Sequence, residues 1–520
     1  MKSCADTATS YDQIPYVSYP IFHSHPRNLA AVARLFGLQV AAVHQARVLE
    51  IGCSTGGNLI PWACQYPNSV FVGLDASSRQ IAMAKGESDA LELKNVRFYP
   101  CDVLDYTNTD GPFDYIVCHG VYSWVAPNVQ DRILSLCREN LAPTGVCYIS
   151  YNTYPGWFLR QGIREMMRYH AGSFTSETEK IEQSRALLDF LSCASSSGSS
   201  TYQKLLTDEL EVIGACDDSY LYHEHLEACN EPVYFHEFVS RSQNHGLRFL
   251  AEAQVSSMFP NEFHEDVQRT LQRIANDLIQ YEQYMDFLRN RRFRQSLLVQ
   301  KESQPNRALS HESVLGLVIS SDIKKSSSPD QSGGQQEVAF QHANGKVLRV
   351  TKGLVSDAFE TLASIWPREI AFDDLWESAK KRSDLTFNAP QLSKSEFAIA
   401  ILNCYSQGLV ELFASSQTNG YSDTTPSAPR TTRWIQRQAS LGSIVTNLRH
   451  QSVRIGPFER ELLQSVDGES SLEELTSRMA NGSKADEIAN SVEFQEFAPD
   501  WQRFAQASFE KLQKASLFCS

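Results

Sequence analysis

The chain has no Cys-x-x-Cys pair among its 12 cysteines and no surplus of positive charge. Nor does it hold a run approaching the roughly 20 apolar residues of a membrane span. The missing pairs exclude a zinc or disulfide framework. Cys53, Cys101, Cys118 and Cys147 fall in apolar strand-like stretches or a glycine-rich turn, which reads them as buried free thiols in a reducing compartment. The amino end also lacks a basic-then-apolar leader, so the cytoplasm is the expected location. With 47 Lys and Arg against 61 Asp and Glu the net charge is −14. Such a surface repels polyanions, and no nucleic-acid partner is expected. His23/His25 and His223/His225 repeat a His-x-His spacing, yet neither pair has a thiol or carboxylate trio at ligand spacing, so no metal site is expected. What is present is a chain of 520 residues, 42% of them apolar, which is too long for one core and predicts several domains of roughly 100 to 200 residues each.

The most informative stretch is Val48-Leu49-Glu50-Ile51-Gly52-Cys53-Ser54-Thr55-Gly56-Gly57-Asn58. A buried strand breaks into a glycine-rich turn and re-enters an apolar helix. Glycines serve where backbone takes positive φ or lies against a ligand, and the helix N-terminus offers unpaired N–H groups. A dinucleotide fingerprint wants glycine at its first, third and sixth positions; here Ser54 stands at the third. Glu50 would repel a pyrophosphate but suits the cationic amino end of a methionine moiety. Charge therefore favours S-adenosylmethionine, with Gly52, Ser54, Gly56 and Asn58 forming the loop around it.

Downstream segments repeat the strand-then-acid theme. Val70–Asp75 reads as a buried strand ending in Asp75, placed to accept ribose hydroxyls. Val96–Val103 gives a third, in which Asp102, with Val103 beside it, is placed to accept the adenine amino group. Phe113–Gly120 is a fourth, a helix follows from about Gln130 to Asn140, and Leu141–Ser150 turns into a fifth. Strand, helix and strand at this spacing predict an α/β, doubly wound, Rossmann-like parallel sheet whose ligand lies off the strand carboxyl ends.

In order and spacing these segments resemble a class I S-adenosylmethionine-dependent methyltransferase. Outside them, "YDQIPYVSYPIFHSHPRNLAAVARLFGL", "YNTYPGW", "EPVYFHEF", "FLRNRRFRQSLL" and, faintly, "VTNLRHQ" resemble bacterial methyltransferases carrying a methyltransferase regulatory domain. Within that group the plan is similar to rickettsial lysine methyltransferases that modify outer-membrane protein. The resemblance covers most of the chain up to about residue 300 and implies a methyltransferase domain over 1–170 and a mainly helical regulatory domain over 171–318. Beyond it, Ser-, Gly-, Gln- and Lys-rich composition marks a linker over 319–345, and three helices closed by an apolar strand give a winged-helix-like domain over 346–414. A second linker over 415–432 precedes a C-terminal helical domain over 433–520. The Ser195–Ser200 run reads as a flexible loop. Leu271, Ile274, Leu278, Tyr281, Met285 and Leu288 read as one amphipathic helix ending in Arg289, Arg291, Arg292 and Arg294, cations that suit a helix C-terminus and a neighbour's acids.

The sulfonium is already activated, so the protein has mainly to align a nucleophile and receive an amine deprotonated. Candidates follow strands four and five: His119, as a base or as a wall of the adenine pocket, with Tyr122 and Trp124, then Asn152, Tyr154 and Trp157. Tyr11, Tyr16 and Tyr19 lie in a Pro-punctuated segment and are expected to fold over the cofactor as a lid. Three acceptor readings stay open. The first is a protein side chain such as lysine. The second is a small molecule, with the extra domains as lid and homodimer contacts. The third is no acceptor at all, in a cofactor-binding regulatory protein.

Overall fold

The alternation that marked the strands sorts their side chains onto two faces. A computed structural model describes residues 10–16, 18–194, 201–326, 337–384, 392–417 and 428–519. Its main sheet has seven strands in the order β3-β2-β1-β4-β5-β7-β6: β1 (Arg47–Ile51), β2 (Val70–Asp75), β3 (Val96–Pro100), β4 (Phe113–Cys118), β5 (Leu141–Asn152), β6 (Leu247–Glu252) and β7 (Phe293–Gln300). The first five run parallel, while β7 inserts antiparallel between β5 and β6. Val48, Phe71, Tyr115 and Tyr148 pack on one face with Leu29, Leu59 and Trp62. Leu49, Val72, Ile116 and Ile149 pack on the other with Ile133, Leu134, Phe235 and Phe238. Burial on both faces explains why these strands read as nearly continuous apolar runs.

The helices follow their capping signals. α1 is Ser10–Gln13, α2 Pro26–Leu35, α3 Leu59–Gln65, α4 Ser78–Ala90 and α5 Pro127–Asn140. Pro127 opens α5 at a first-turn position, where its missing N–H costs nothing, so the helix begins three residues before Gln130. Between β5 and β6 lie α6 (Trp157–Ala171), α7 (Glu177–Ala194), α8 (Thr201–Ala215), α9 (Asp218–Leu221) and α10 (Phe235–Asn244). The first three share a small core of their own around Ile163, Met167, Ile181 and Leu206. The Ser195–Ser200 loop lies outside the described residues. Gly246, at φ 76°, turns α10 into β6.

Three expectations about organisation meet differences. The amphipathic run over 271–288 is two helices, α11 (Glu265–Ile274) and α12 (Leu278–Arg289), because the Asp277 side chain accepts from Gln280 N and starts a new helix. The methyltransferase sheet does not end at residue 170: β6 and β7 complete it from within the stretch read as helical. The expected linker over 319–345 holds strand residues Ile323–Lys325 and Glu337–His342, paired with each other; its alternating, polar-rich short strands have too little apolar signal to stand out.

Arg294 is not at a helix end but in β7, fully buried. Its guanidinium donates to Glu252 Oε1 (2.8 Å), Asp286 Oδ2 (2.8 Å) and Glu282 Oε2 (3.1 Å) and lies 3.8 Å over the Phe235 ring. Arg289 pairs with Glu262. Arg294 thus holds α12 and β6 to β7 within the sheet itself, not at the expected helix end facing a neighbouring domain's acids.

C-terminal to the sheet, helices Leu354–Ile365, Phe372–Asp384 and Lys394–Ser406 are followed by strand Glu411–Phe413, the winged-helix-like order. Residues 418–427 of the second linker lie outside the described residues. Then come helix Arg433–Leu441, a hairpin of Ile444–Thr446 and Ser452–Arg454, and helices Pro457–Ser465, Leu472–Ala480 and Trp501–Lys514. This half packs on the methyltransferase core: Arg27 on α2 pairs with Glu369 at 2.6 Å, both buried, and Arg34 donates to Ala414 O (2.8 Å). Among the described residues no helix is long and apolar enough to cross a membrane, no cysteine forms a disulfide, and no group of three or more His, Cys, Asp or Glu is placed to hold an ion.

Candidate active site

At the carboxyl end of β1 the chain takes positive φ at Gly52 (73°), Ser54 (48°) and Gly56 (79°). The room around the glycines is as tight as their backbone requires. A Cβ at Gly52 would fall 2.3 Å from Val121 Cγ2, and one at Gly57 would fall 2.2 Å from the Ser18 carbonyl oxygen. Ser54 Oγ donates to Tyr16 O (2.9 Å), and its N–H donates to Asp75 Oδ2 (2.8 Å). The non-glycine residue at the loop's third position thus binds it on one side to β2 and on the other to the amino-terminal segment.

Glu50 is buried behind this loop. Asn58 Nδ2 donates to Glu50 Oε1 (2.9 Å) and to Ser24 Oγ (3.0 Å). Glu50 Oε2 is buried with no hydrogen-bond partner. Burial pushes the Glu50 carboxyl up to about 8, with the Asn58 bond pulling it down and Asp75 adding to the rise. An orphaned carboxylate oxygen of this kind fits a cationic ligand group and fits no anion. Asp75 accepts from Ser54 N with one oxygen and from Ser77 N (2.9 Å) with the other, leaving a lone pair on each for a vicinal diol. Asp102 is exposed and accepts from Leu104 N (2.9 Å); Val103 beside it is half-buried.

The amino-terminal segment crosses this cleft. Tyr11 stacks on His223 at 4.3 Å and 3°, and Tyr16 meets the same ring edge-on at 5.6 Å. His223 Nε2 bonds Ile14 O (2.7 Å) and Nδ1 bonds Glu227 Oε1 (2.9 Å). Asp12 accepts from Ser77 Oγ (2.6 Å), and Ser18 Oγ accepts from Gly57 N (3.1 Å). The tyrosyl hydroxyls are held above their ordinary range, first by burial and then by acids, Glu227 and Asp75 for Tyr11 and Glu224 for Tyr16. The segment is therefore a strap across the loop, latched by a histidine that the sequence had offered only as a rejected metal ligand.

After β4, His119 bonds Tyr148 OH through Nδ1 (2.8 Å). Burial, with His23 nearby, pushes His119 down to about 4, which makes it a weak proton acceptor at neutral pH and favours the pocket-wall reading over the base. Tyr122 is a correction. It is wholly buried and packs edge-on against Tyr151 (6.2 Å) and Phe238 (5.3 Å), so it is a core side chain and contacts no acceptor. Trp124 lies half-buried against Trp157 (6.2 Å) with the Arg164 guanidinium 5.6 Å over its ring. Past β5, Asn152 is buried, its N–H donating to Ser123 Oγ (2.8 Å) and its Nδ2 without a partner. Tyr154 is half-exposed, donates to Gln161 Oε1 (3.2 Å) and stacks on Phe158 at 4.1 Å. The cleft thus gathers Glu50, the glycine loop, Asp75, Tyr11 and Tyr16. The hydrogen bonds joining Glu50, Asn58 and Ser24 were not foreseen, nor was the last member of that network, His450, which bonds Asn58 from 392 positions away.

The seven-strand order with an antiparallel seventh strand, and a glycine loop backed by an unpaired carboxylate oxygen, define a class I S-adenosylmethionine-dependent methyltransferase. Comparison with known proteins agrees. Residues 43–207 match a methyltransferase domain, 217–300 a predicted methyltransferase regulatory domain, and 427–511 the C-terminal winged helix domain of PKMT. An uncharacterized protein of Rickettsia prowazekii is 35% identical over 469 residues, covering 88% of this chain and 83% of that one. A shorter uncharacterized protein of the same organism is 40% identical over 46% of this chain and 96% of its own. The solved structure of PKMT2 from Rickettsia typhi in complex with AdoHcy superimposes with a TM-score of 0.84 at 28% identity, covering 97% of this chain and 100% of that one. The chain belongs to the PKMT family of methyltransferases.

Proposed function

We propose that this methyltransferase acts on protein lysine side chains, holding its cofactor by Glu50, the Gly52–Asn58 loop and Asp75, with Asp102 and Val103 at the adenine end. S-adenosylmethionine, when bound, supplies an electrophilic methyl group. The Glu50 carboxylate receives the ammonium of the methionine moiety, Asp75 accepts from the ribose, and the Tyr11–Tyr16 strap shields the site from water. His119 lines the pocket, Tyr154 stands at its mouth, and the Asn152 amide offers a buried donor for orienting the acceptor. Among the described residues of the cleft no side chain is poised as a strong base toward the acceptor, so a lysine loses its proton to solvent as it is desolvated on entry. The observation that carries the reading is the likeness to PKMT2 along nearly the whole chain, regulatory and winged-helix parts included, which a small acceptor would not require.

The test is transfer of a radiolabelled methyl group from S-adenosylmethionine to a bacterial outer-membrane protein fraction. A second sample of that fraction has its lysines blocked by acetylation, which turns each amine into a non-nucleophilic amide. Label recovered as methyl-lysine after hydrolysis, and lost on blocking, is expected; label in the small-molecule filtrate, or indifferent to blocking, sinks the lysine reading.

A pH dependence follows from Glu50. A carboxyl raised to about 8 is mostly protonated at pH 7 in the unliganded protein, while pairing with an ammonium requires the ionised form. The ionised fraction grows as pH rises toward 8, so the Kd for S-adenosylmethionine is expected to fall by about twentyfold between about pH 6 and 7.5, with roughly one proton released on binding at pH 7. Calorimetry in buffers of different ionisation enthalpy reads that proton, and Glu50→Gln should abolish both effects.

A further inference from the structure

The Asn58 side chain makes four hydrogen bonds, and the last comes from the far end of the chain. Its Nδ2 donates to Glu50 and Ser24. Its Oδ1 accepts from Ile21 N (2.9 Å) and faces His450 Nε2 at 2.6 Å. A backbone N–H can only donate, so Ile21 fixes which way the amide points. Oδ1 is then an acceptor toward His450 as well, and the imidazole must carry its proton on Nε2. Its Nδ1, buried and unpartnered, is left bare. Burial pushes His450 down to about 3, in keeping with a neutral ring.

His450 is held for this contact from both sides. It sits at φ 62° in the turn between Ile444–Thr446 and Ser452–Arg454, within the stretch that matches the winged helix domain. The ring is wholly buried, stacked on Trp62 of α3 at 5.0 Å and edge-on to His25 at 5.3 Å. Leu448 O accepts from Gln65 at the end of α3 (3.3 Å). On its other flank Arg449 is buried, donates to Ser320 Oγ (3.1 Å) and Glu411, and lies 4.5 Å over the Trp366 ring. The Leu448-Arg449-His450 turn therefore joins the winged-helix part to the first turns of the helix that follows the glycine loop.

We propose that His450 is a positioning residue for the cofactor: by donating to Asn58 Oδ1 it holds the amide whose other end orients the Glu50 carboxylate, so the C-terminal winged helix domain completes a site that lies at the opposite end of the sequence. The inference rests on the assignment of Glu50 to the cofactor's ammonium. It makes cofactor affinity depend on the seating of the C-terminal domain, since any displacement of that turn frees Asn58 and, through it, Glu50.

The experiment uses full-length variants. His450→Phe keeps a ring against Trp62 and removes the donor; His450→Gln restores an N–H near the same place. Calorimetry with S-adenosylmethionine is expected to show about a tenfold weaker Kd for His450→Phe and recovery to within about threefold for His450→Gln. The KM for the cofactor should rise in step while kcat at saturating cofactor stays within about twofold. In an Asn58→Ala background His450→Phe should add nothing, because the two act along one path. Wild-type affinity in folded His450→Phe, or an effect that adds in full to that of Asn58→Ala, overturns the proposal. A measurement free of variants stands beside these. Side-chain nitrogen NMR of histidine-labelled protein should find at least two buried imidazoles locked in the Nε2–H tautomer down to pH 5, His25, whose Nδ1 accepts from Arg27 N, and His450, and the absence of the second is equally damaging. The underlying assignment fails separately, if Glu50→Ala binds the cofactor as the wild type does.

Discussion

Replacing Asp75 with alanine is expected to weaken S-adenosylmethionine binding by about two to four powers of ten, the largest loss of any single change in the cleft. Two hydrogen bonds from the ligand to a carboxylate are worth roughly 1.5–3 kcal/mol each, and every 1.4 kcal/mol is about tenfold in Kd. Asp75 also shapes the loop, since its two oxygens accept from Ser54 N and Ser77 N, so the variant loosens the turn that presents Gly56 and Gly57. Asp75→Asn keeps one acceptor oxygen and should fall between wild type and alanine. The fold itself should persist, because burial holds the Asp75 carboxyl above its usual range. Such a group contributes stability at acid pH that is lost as pH rises, and its removal relieves the protein at neutral pH. Calorimetry together with thermal melting checks both halves; wild-type affinity in a folded Asp75→Ala protein would end the ribose assignment.

Arg294→Met should produce the largest loss of stability, about 3–5 kcal/mol at neutral pH, as expected when one partner of a buried ion cluster is removed and the others are left uncompensated. Glu252, Glu282 and Asp286 all depend on this guanidinium. Burial pushes Glu282 up to about 7 even with Arg294 present. Glu252 is likewise penalised by burial, and Arg294 and then Arg291 outweigh that penalty and hold it below its usual range. Without the cation all three rise above their unfolded values. Groups raised in this way favour the fold at low pH and oppose it as pH increases, so the defect should shrink from pH 8 to pH 5. Urea unfolding at the two pH values reads it directly; an equal loss at both would mean that packing on Phe235, not charge, is the function of Arg294.

The amino-terminal third was legible because its signals are local. A doubly buried parallel strand is a short apolar run, and each of β1 to β4 is closed by glycine, an acid or both, which marks the carboxyl end where the ligand lies. Tyr11 and Tyr16 were legible as non-core residues from the prolines around them. The remainder depends on contacts distant in sequence. Nothing within β7 reveals that it pairs with Leu141–Asn152, and Arg294, the most deeply paired cation described, looks like one more charge after a helix. Tyr122 is aromatic at the right place after β4, but its burial is decided by Phe238 on α10. His450 lies in a turn whose partner, Asn58, is separated from it by most of the chain. Here the local pattern revealed the loop, while its supports came from tertiary packing.

The strand order also governs how this protein can be taken apart. Because β7 and β6 extend the sheet beyond β5, a fragment cut after the first five strands would leave β5 with a naked ladder edge and uncover Leu297 and Leu298 contacts on both faces, a recipe for aggregation. The helical excursion behaves in the opposite way. Thr153 bridges Val233, and the Thr153 hydroxyl donates to the Val233 carbonyl at 2.8 Å, so the chain leaves the sheet and returns to it at nearly the same point. That closed neck makes the excursion a unit of its own, in which α7 and α8 can be shortened or exchanged between relatives as long as the His223 turn that latches the strap is kept, whereas a cut between residues 207 and 217, where two of the matched family segments meet, would strand two strands of the sheet on the wrong fragment.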